Sequence, residues 1–263
     1  MKLLALIVAF AISHFVQNPE KFRQFDWFRL WVDWFKQKIQ LPMAELTVII
    51  VIGVPVLVVA ILALNLFNST IGELLLAVLV LSYSIGPKSL DAEVNAGMLR
   101  VNQGISEDAK VAVIIKKMTK LAMYRWFGVF FWYVVLGIVG AVLYRLSERL
   151  FAVTKDTDST YPIVDKLMKI LNYPVSWIMV ISLAIASDFE RIYKKCIPSM
   201  KMDNIKKMDT SFLFEAADFA VENCETNSDE KESIEVITLN VLNRMLVVWL
   251  VFVSLLVILA VMR

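Results

Sequence analysis

Histidine occurs once in these 263 residues, cysteine twice, proline seven times and glycine eight times. With His14 as the lone imidazole, a zinc site of the His-Glu-x-x-His kind and a serine or cysteine triad both lack parts. The glycines form neither a Walker-type phosphate loop nor a Gly-x-Gly-x-x-Gly turn. Cys196 and Cys224 form no Cys-x-x-Cys, and in a loop expected to face the cytoplasm their thiols stay reduced and free. Charge is also scarce, at 20% of residues against 59% hydrophobic, and a soluble fold cannot hide that much apolar surface. The basic stretches carry comparable acid, among it Glu93, Glu107, Asp108, Glu215, Asp218 and Glu222, which argues against a nucleic-acid partner. No catalytic residue, cofactor or metal site is expected, and the chain reads as leaning away from an enzyme.

What is present is a set of uncharged apolar runs, the pattern of bilayer-spanning helices. The expected class is an all-α, multi-pass transmembrane bundle, a single membrane domain over residues 1–263 with the lipid bilayer as its first partner. Runs at residues 46–67, 127–146 and 245–262 approach the roughly 20 residues that a hydrocarbon core demands. Those at 3–16, 71–85 and 170–186 are shorter or more polar and make six spans if the bilayer thins locally. The first could pass for a signal peptide, with Ala9-Phe10-Ala11 as a cleavage pattern. Its apolar core, Leu3 to Val8, is about half the normal length, so the segment is expected to be retained.

Lysine and arginine sort by loop. With six spans and an outside N-terminus, loops 18–45, 86–126 and 187–244 hold five, seven and eight of them, against five in 145–169 and one at each terminus. The excess places those three loops in the cytoplasm and both termini in the periplasm of a bacterial inner membrane. In the first loop, Arg23, Asp26, Arg29, Asp33, Lys36 and Gln37 form one helical face, with Asp26–Arg29 and Arg29–Asp33 able to pair. Phe25, Trp27, Phe28, Trp31, Trp34 and Phe35 form the other, suited either to the headgroup region or to packing on the protein's own spans. The second loop reads as a helical hairpin, Ser89–Val101 and then a helix capped by Ser106 that ends in Lys116, Lys117 and Lys120. The third carries a helix near Thr210–Cys224, a break at Asn227-Ser228 and one long helix running into the last span.

Polar residues in or beside spans are the candidate functional positions, because hydrocarbon penalises them. They are His14, Asn65, Glu73, Arg145 and Asp188. Helix–helix hydrogen bonds or snorkelling account equally well for each. Gly137 and Ala141 form a small-xxx-small pair that lets a helix approach, and Pro55 is expected to kink its span.

The stretch FFWYVVLGIVGAVLYRL at 130–146, followed by VDKLMKILNYPVSWIMVISLAIASDF at 164–189, resembles the paired signature of the AmpE and CobD/CbiB-like membrane proteins. The matching positions are Tyr144, Arg145, Asp165, Pro174, Asp188 and Phe189. The cobalamin branch, an ATP-dependent adenosylcobinamide-phosphate synthase, has an Asn-Thr-Leu-Asp element after Tyr-Arg. Here Leu146-Ser147-Glu148-Arg149 stands in that place, and residues 188–244 contain no glycine to close around phosphate. The resemblance therefore implies the AmpE branch: an inner-membrane regulatory modulator of β-lactamase induction and muropeptide recycling, associated with an AmpD-like cytoplasmic muropeptide amidase. A cobinamide-phosphate ligase is the alternative, and a small transporter using Glu73 and His14 a second.

Overall fold

The protein is described by a computed structural model covering residues 5–6, 8–9, 25–39, 43–66, 70–84, 107–154, 156, 158–187, 189–196, 208–226 and 233–261. Among these, every regular element is helical: α1 (Asp26–Lys38), α2 (Ala44–Leu66), α3 (Thr70–Ser84), α4 (Glu107–Ala122), α5 (Gly128–Leu136), α6 (Ile138–Val153), α7 (Tyr161–Ala186), α8 (Phe189–Cys196), α9 (Ser211–Thr226) and α10 (Ile234–Val261). A π-helical turn, Met123–Phe127, joins α4 to α5. The expected single domain gives way to two compact units, Met1–Pro87 with Tyr124–Leu171, and Lys88–Met123 with Asn172–Arg263. The reason is that two sets of apolar faces each close upon themselves.

In the first unit α1 buries Phe28, Val32 and Phe35, spaced so that they share one side of the helix. They pack with Val48, Val51 and Ile52 of α2, Leu146 and Leu150 of α6, and Val164. Trp27, Leu30 and Trp34 stay exposed. The aromatic face is thus divided between the protein's own core and its surroundings. Pro55 has no N–H to offer the carbonyl of Val51, and the Trp31 indole N–H donates to that carbonyl instead, at 3.1 Å.

In the second unit the buried face of α9, Phe212, Leu213, Ala216, Ala217, Ala220 and Val221, leaves Glu215, Asp218 and Glu222 outside. It packs against α4 and α10. Phe212 also meets Tyr173 and Trp177 of α7, with ring centroids 6.4 and 4.6 Å apart. Contact between α4 and α9 puts parts of loops 86–126 and 187–244 together. The expected cap at Ser106, the helix 89–101 and the break at 227–228 lie outside the described residues.

Among the described residues, three helices are long and apolar enough to cross a membrane: Ala44–Asn65, Tyr161–Ala186 and Ile234–Leu255. The exposed residues of α10 change character along it. Asn240, Asn243 and Arg244 give way to Val247, Val251, Phe252 and Leu255, the pattern of a helix passing from water into hydrocarbon. The apolar helix α3 has 15 residues and reaches about 22 Å, short of a core of about 30 Å. Of the expected span 3–16 only residues 5, 6, 8 and 9 are described; they are helical.

The expected crossing at 127–146 is overturned. Gly137, at φ 70° and ψ −153°, holds a backbone conformation that a side chain strains, and the helix stops there. Gly128 lies against the Tyr144 ring, and Gly140 against the Trp132 carbonyl. In one straight helix Gly128 and Tyr144 would stand about 24 Å apart. The chain instead doubles back, and α5 and α6 form a hairpin whose close approach depends on the two small residues. Both ends of the apolar run therefore emerge together. The side expected for 145–169 falls with it, because Lys36 from loop 18–45 pairs with Asp158 at 2.5 Å. The two segments meet, which the expected placement on opposite sides of a bilayer does not allow.

Candidate functional site

The hairpin turns Arg145 inward. On α6 the run Tyr144 to Ser147 is buried, and Arg145 retains only 2% of its surface. One guanidinium nitrogen, Nη1, donates to Glu148 at 3.0 Å, while Arg149 Nε stands 3.5 Å from the same carboxylate oxygen. Two cations share one anion. Arg145 Nε is buried without a hydrogen-bond partner. Both guanidinium groups also lie over the Phe25 ring, at 5.2 and 4.9 Å from its centre, where the negative face of the aromatic attracts them.

Phe25 in turn meets Tyr83 of α3, their centroids 4.6 Å apart, and the Tyr83 hydroxyl accepts the Trp27 indole N–H at 2.8 Å. These aromatics rim a cleft of about 390 Å³ between α1, α2, α3 and α6. Its walls are Val54, Pro55, Val58 and Val59 of α2, Leu79 and Val80 of α3, and Val142 and Leu146 of α6. Among the described residues, Arg145 is the one charged residue that lines it, and the exposed lining is almost wholly apolar. The volume lies within the roughly 300–1,000 Å³ usual for ligand pockets.

The other expected positions do not converge here. Tyr144 is fully buried but turns to Gly128. Glu73, half-buried in the first turn of α3, acts electrostatically on Tyr133 of α5. Asp165 pairs with Lys169 one helical turn away, at 2.8 Å. Pro174 sits within α7, where the Trp132 indole donates at 3.1 Å to the carbonyl of Leu171 just before it. Phe189 is 57% exposed, and Asn65 bonds back to the Ile61 carbonyl at 2.9 Å. His14 and Asp188 lie outside the described residues. Cys224 is a free thiol, and among the described residues no group of three His, Cys, Asp or Glu gathers as a metal site.

Sequence reasoning missed Phe25, Trp27, Tyr83, Glu148 and Arg149 as parts of the site. The signal for the last two was present: Glu148-Arg149 follows Arg145 by one helical turn, the spacing at which side chains meet.

Helices long and apolar enough to cross a bilayer, with a ligand-sized apolar cleft in the first unit, are compatible with a helical membrane protein. No family model, curated protein or solved structure matches the chain.

Proposed function

We propose that this chain is an AmpE-like regulatory protein of the bacterial inner membrane, a modulator of β-lactamase induction and muropeptide recycling that acts through a partner. An AmpD-like muropeptide amidase is the partner this reading favours. The observation that carries it is the burial of the Tyr144-Arg145 element, through which the resemblance runs, with Arg145 among the residues that line a cleft of ligand size. The exposed acids of α9, Glu215, Asp218 and Glu222, supply a charged face on which a partner can dock.

Deletion of the gene is expected to alter β-lactamase induction or the muropeptide pool, and unchanged behaviour in both assays would overturn the reading. The triple substitution Glu215→Lys, Asp218→Lys and Glu222→Lys should reproduce the deletion phenotype while the protein still accumulates, since exposed positions change stability by only about 0.5 kcal/mol. The same Tyr-Arg element occurs in the cobinamide-phosphate ligase branch. Growth of a cobinamide-phosphate auxotroph on the cloned gene would favour that enzyme instead.

A further inference from the structure

Helix α1 has three faces. At about 100° per residue, Phe28, Val32 and Phe35 gather on the first, which is buried in the core of the first unit. Asp26, Arg29, Asp33 and Gln37 gather on the second, about a third of a turn away, and all of them are exposed. The third carries Trp27, Leu30 and Trp34, which are 47%, 68% and 49% exposed although apolar. We propose that α1 lies in the plane of the membrane surface, with Trp27, Leu30 and Trp34 in the boundary between headgroups and acyl chains and the face of Asp26, Arg29 and Asp33 in water.

Two helices long enough to cross fix its level. The buried stripe of α1 packs on Val48, Val51 and Ile52 of α2 and on Val164 of α7. Helix α2 is uncharged from Leu46 to Leu66, and α7, after Asp165, Lys166 and Lys169, is uncharged from Ile170 to Ala186. At 1.5 Å per residue, each of those contacts lies within about 9 Å of the point where an uncharged run begins. A bilayer that holds either helix therefore has its surface at α1. Hydrogen bonds on both flanks of the buried stripe keep α1 from rolling: the Trp31 indole donates to the Val51 carbonyl at 3.1 Å, and Lys36 reaches Asp158, which accepts the N–H and hydroxyl of Thr160 just ahead of α7. The exposed tryptophans then stand at the level where indoles are enriched, and a helix polar on one side and apolar on another is the form that lies in an interface. A protein partner is disfavoured by area, because three half-exposed side chains fall well short of the roughly 800 Å² per partner that a stable interface takes. Asp26, Arg29 and Asp33 alternate in sign along their face, so a zwitterionic surface is sufficient.

The inference rests on the membrane part of the proposed function and not on its regulatory part. It is measured on purified protein, with Leu57 of α2 reporting separately whether that helix sits in hydrocarbon. A deletion phenotype is scored independently and moves with none of these readings.

Spin labels are placed singly at Arg29→Cys, Leu30→Cys and Leu57→Cys in the full chain carrying Cys196→Ser and Cys224→Ser, reconstituted in phosphatidylcholine vesicles. Collision of each label with oxygen, which concentrates in hydrocarbon, is compared with collision with a water-soluble nickel chelate. The oxygen-to-nickel ratio at residue 30 is expected to be several-fold above that at residue 29, its neighbour in sequence, and below that at residue 57. Should the labelled Leu30→Cys chain not fold, Trp34→Cys takes its place on the same face. Equal ratios at 29 and 30, with 57 in hydrocarbon, would overturn the proposal and leave α1 in water beside a spanning α2. A label at 30 shielded from both reagents would overturn it by giving the face to protein, and dipolar broadening between such labels would identify that protein as a second copy. A ratio at 57 as low as that at 29 would overturn it together with the membrane reading.

Discussion

Gly137 and Gly53 stand in similar apolar sequence and do opposite things. A Cβ at Gly53 would meet nothing within 4 Å, so Gly53→Ala should stabilise α2 by about 0.5–1 kcal/mol through backbone entropy. At Gly137 the space is equally open, but φ 70° strains any side chain, and Gly137→Ala should cost about 1–3 kcal/mol. Thermal unfolding in detergent should therefore shift upward for the first and downward for the second; shifts of the same sign would contradict the hairpin. Asp158 gives a second residue-scale expectation. Burial pushes its carboxyl up, but hydrogen bonds from Lys36 and from the backbone and side chain of Thr160 outweigh that and hold it at about 2, against an ordinary 3.8. Because the folded value is the lower one, the stabilisation is complete above the unfolded value and is lost as pH falls through about 2. Asp158→Asn should flatten the acid limb of the stability curve between about pH 4 and pH 2; an unaltered limb would mean the pair contributes nothing.

At the scale of elements, the long helix after residue 233 and the helix near 210–224 were legible because caps and periodicity are local. Asp209 accepts from both the backbone and hydroxyl of Ser211 at 3.0 Å, which starts α9 one residue past its expected position. The hairpin was not legible. A hydropathy window sees twenty apolar residues at 127–146 whether they run straight or double back, and Gly137 and Ala141 read as a close-packing face on a continuous span. Only the meeting of Gly128 with Tyr144 distinguishes the two. The consequence can be measured with single cysteines, Lys38→Cys or Asp156→Cys, in a chain carrying Cys196→Ser and Cys224→Ser. A membrane-impermeant maleimide should label both positions from the same side of the membrane. Labelling from opposite sides would restore the crossing at 127–146 and dissolve the Lys36–Asp158 pair.

For the whole molecule, exposed apolar surface is the surface a bilayer would cover. Leu57, Ile61 and Leu64 of α2 are exposed and apolar, whereas the exposed residues of α10 before Val247 include Asn240, Asn243 and Arg244. Leu57→Arg should oppose insertion by about 2.5–3.5 kcal/mol, and Asn240→Arg should be close to neutral. The membrane-inserted fractions of the two variants check this, and equal fractions would move the boundary. The sequence by itself determined the helical class, the apolar runs and the residues around Arg145 that resemble a known signature, because composition and period act over a few turns and need no partner. Tertiary structure alone decided that one run turns back, that the chain closes into two units and that Arg145 meets Phe25 and lines a cleft with Tyr83 and α2. Those outcomes depend on which faces find each other across 16 to 120 residues of chain, as in Gly128 to Tyr144, Phe25 to Tyr83 and Phe25 to Arg145. Distance of that kind leaves no periodic trace in the sequence, and the free energy that selects it comes from burial shared between segments that are each stable in form before they meet.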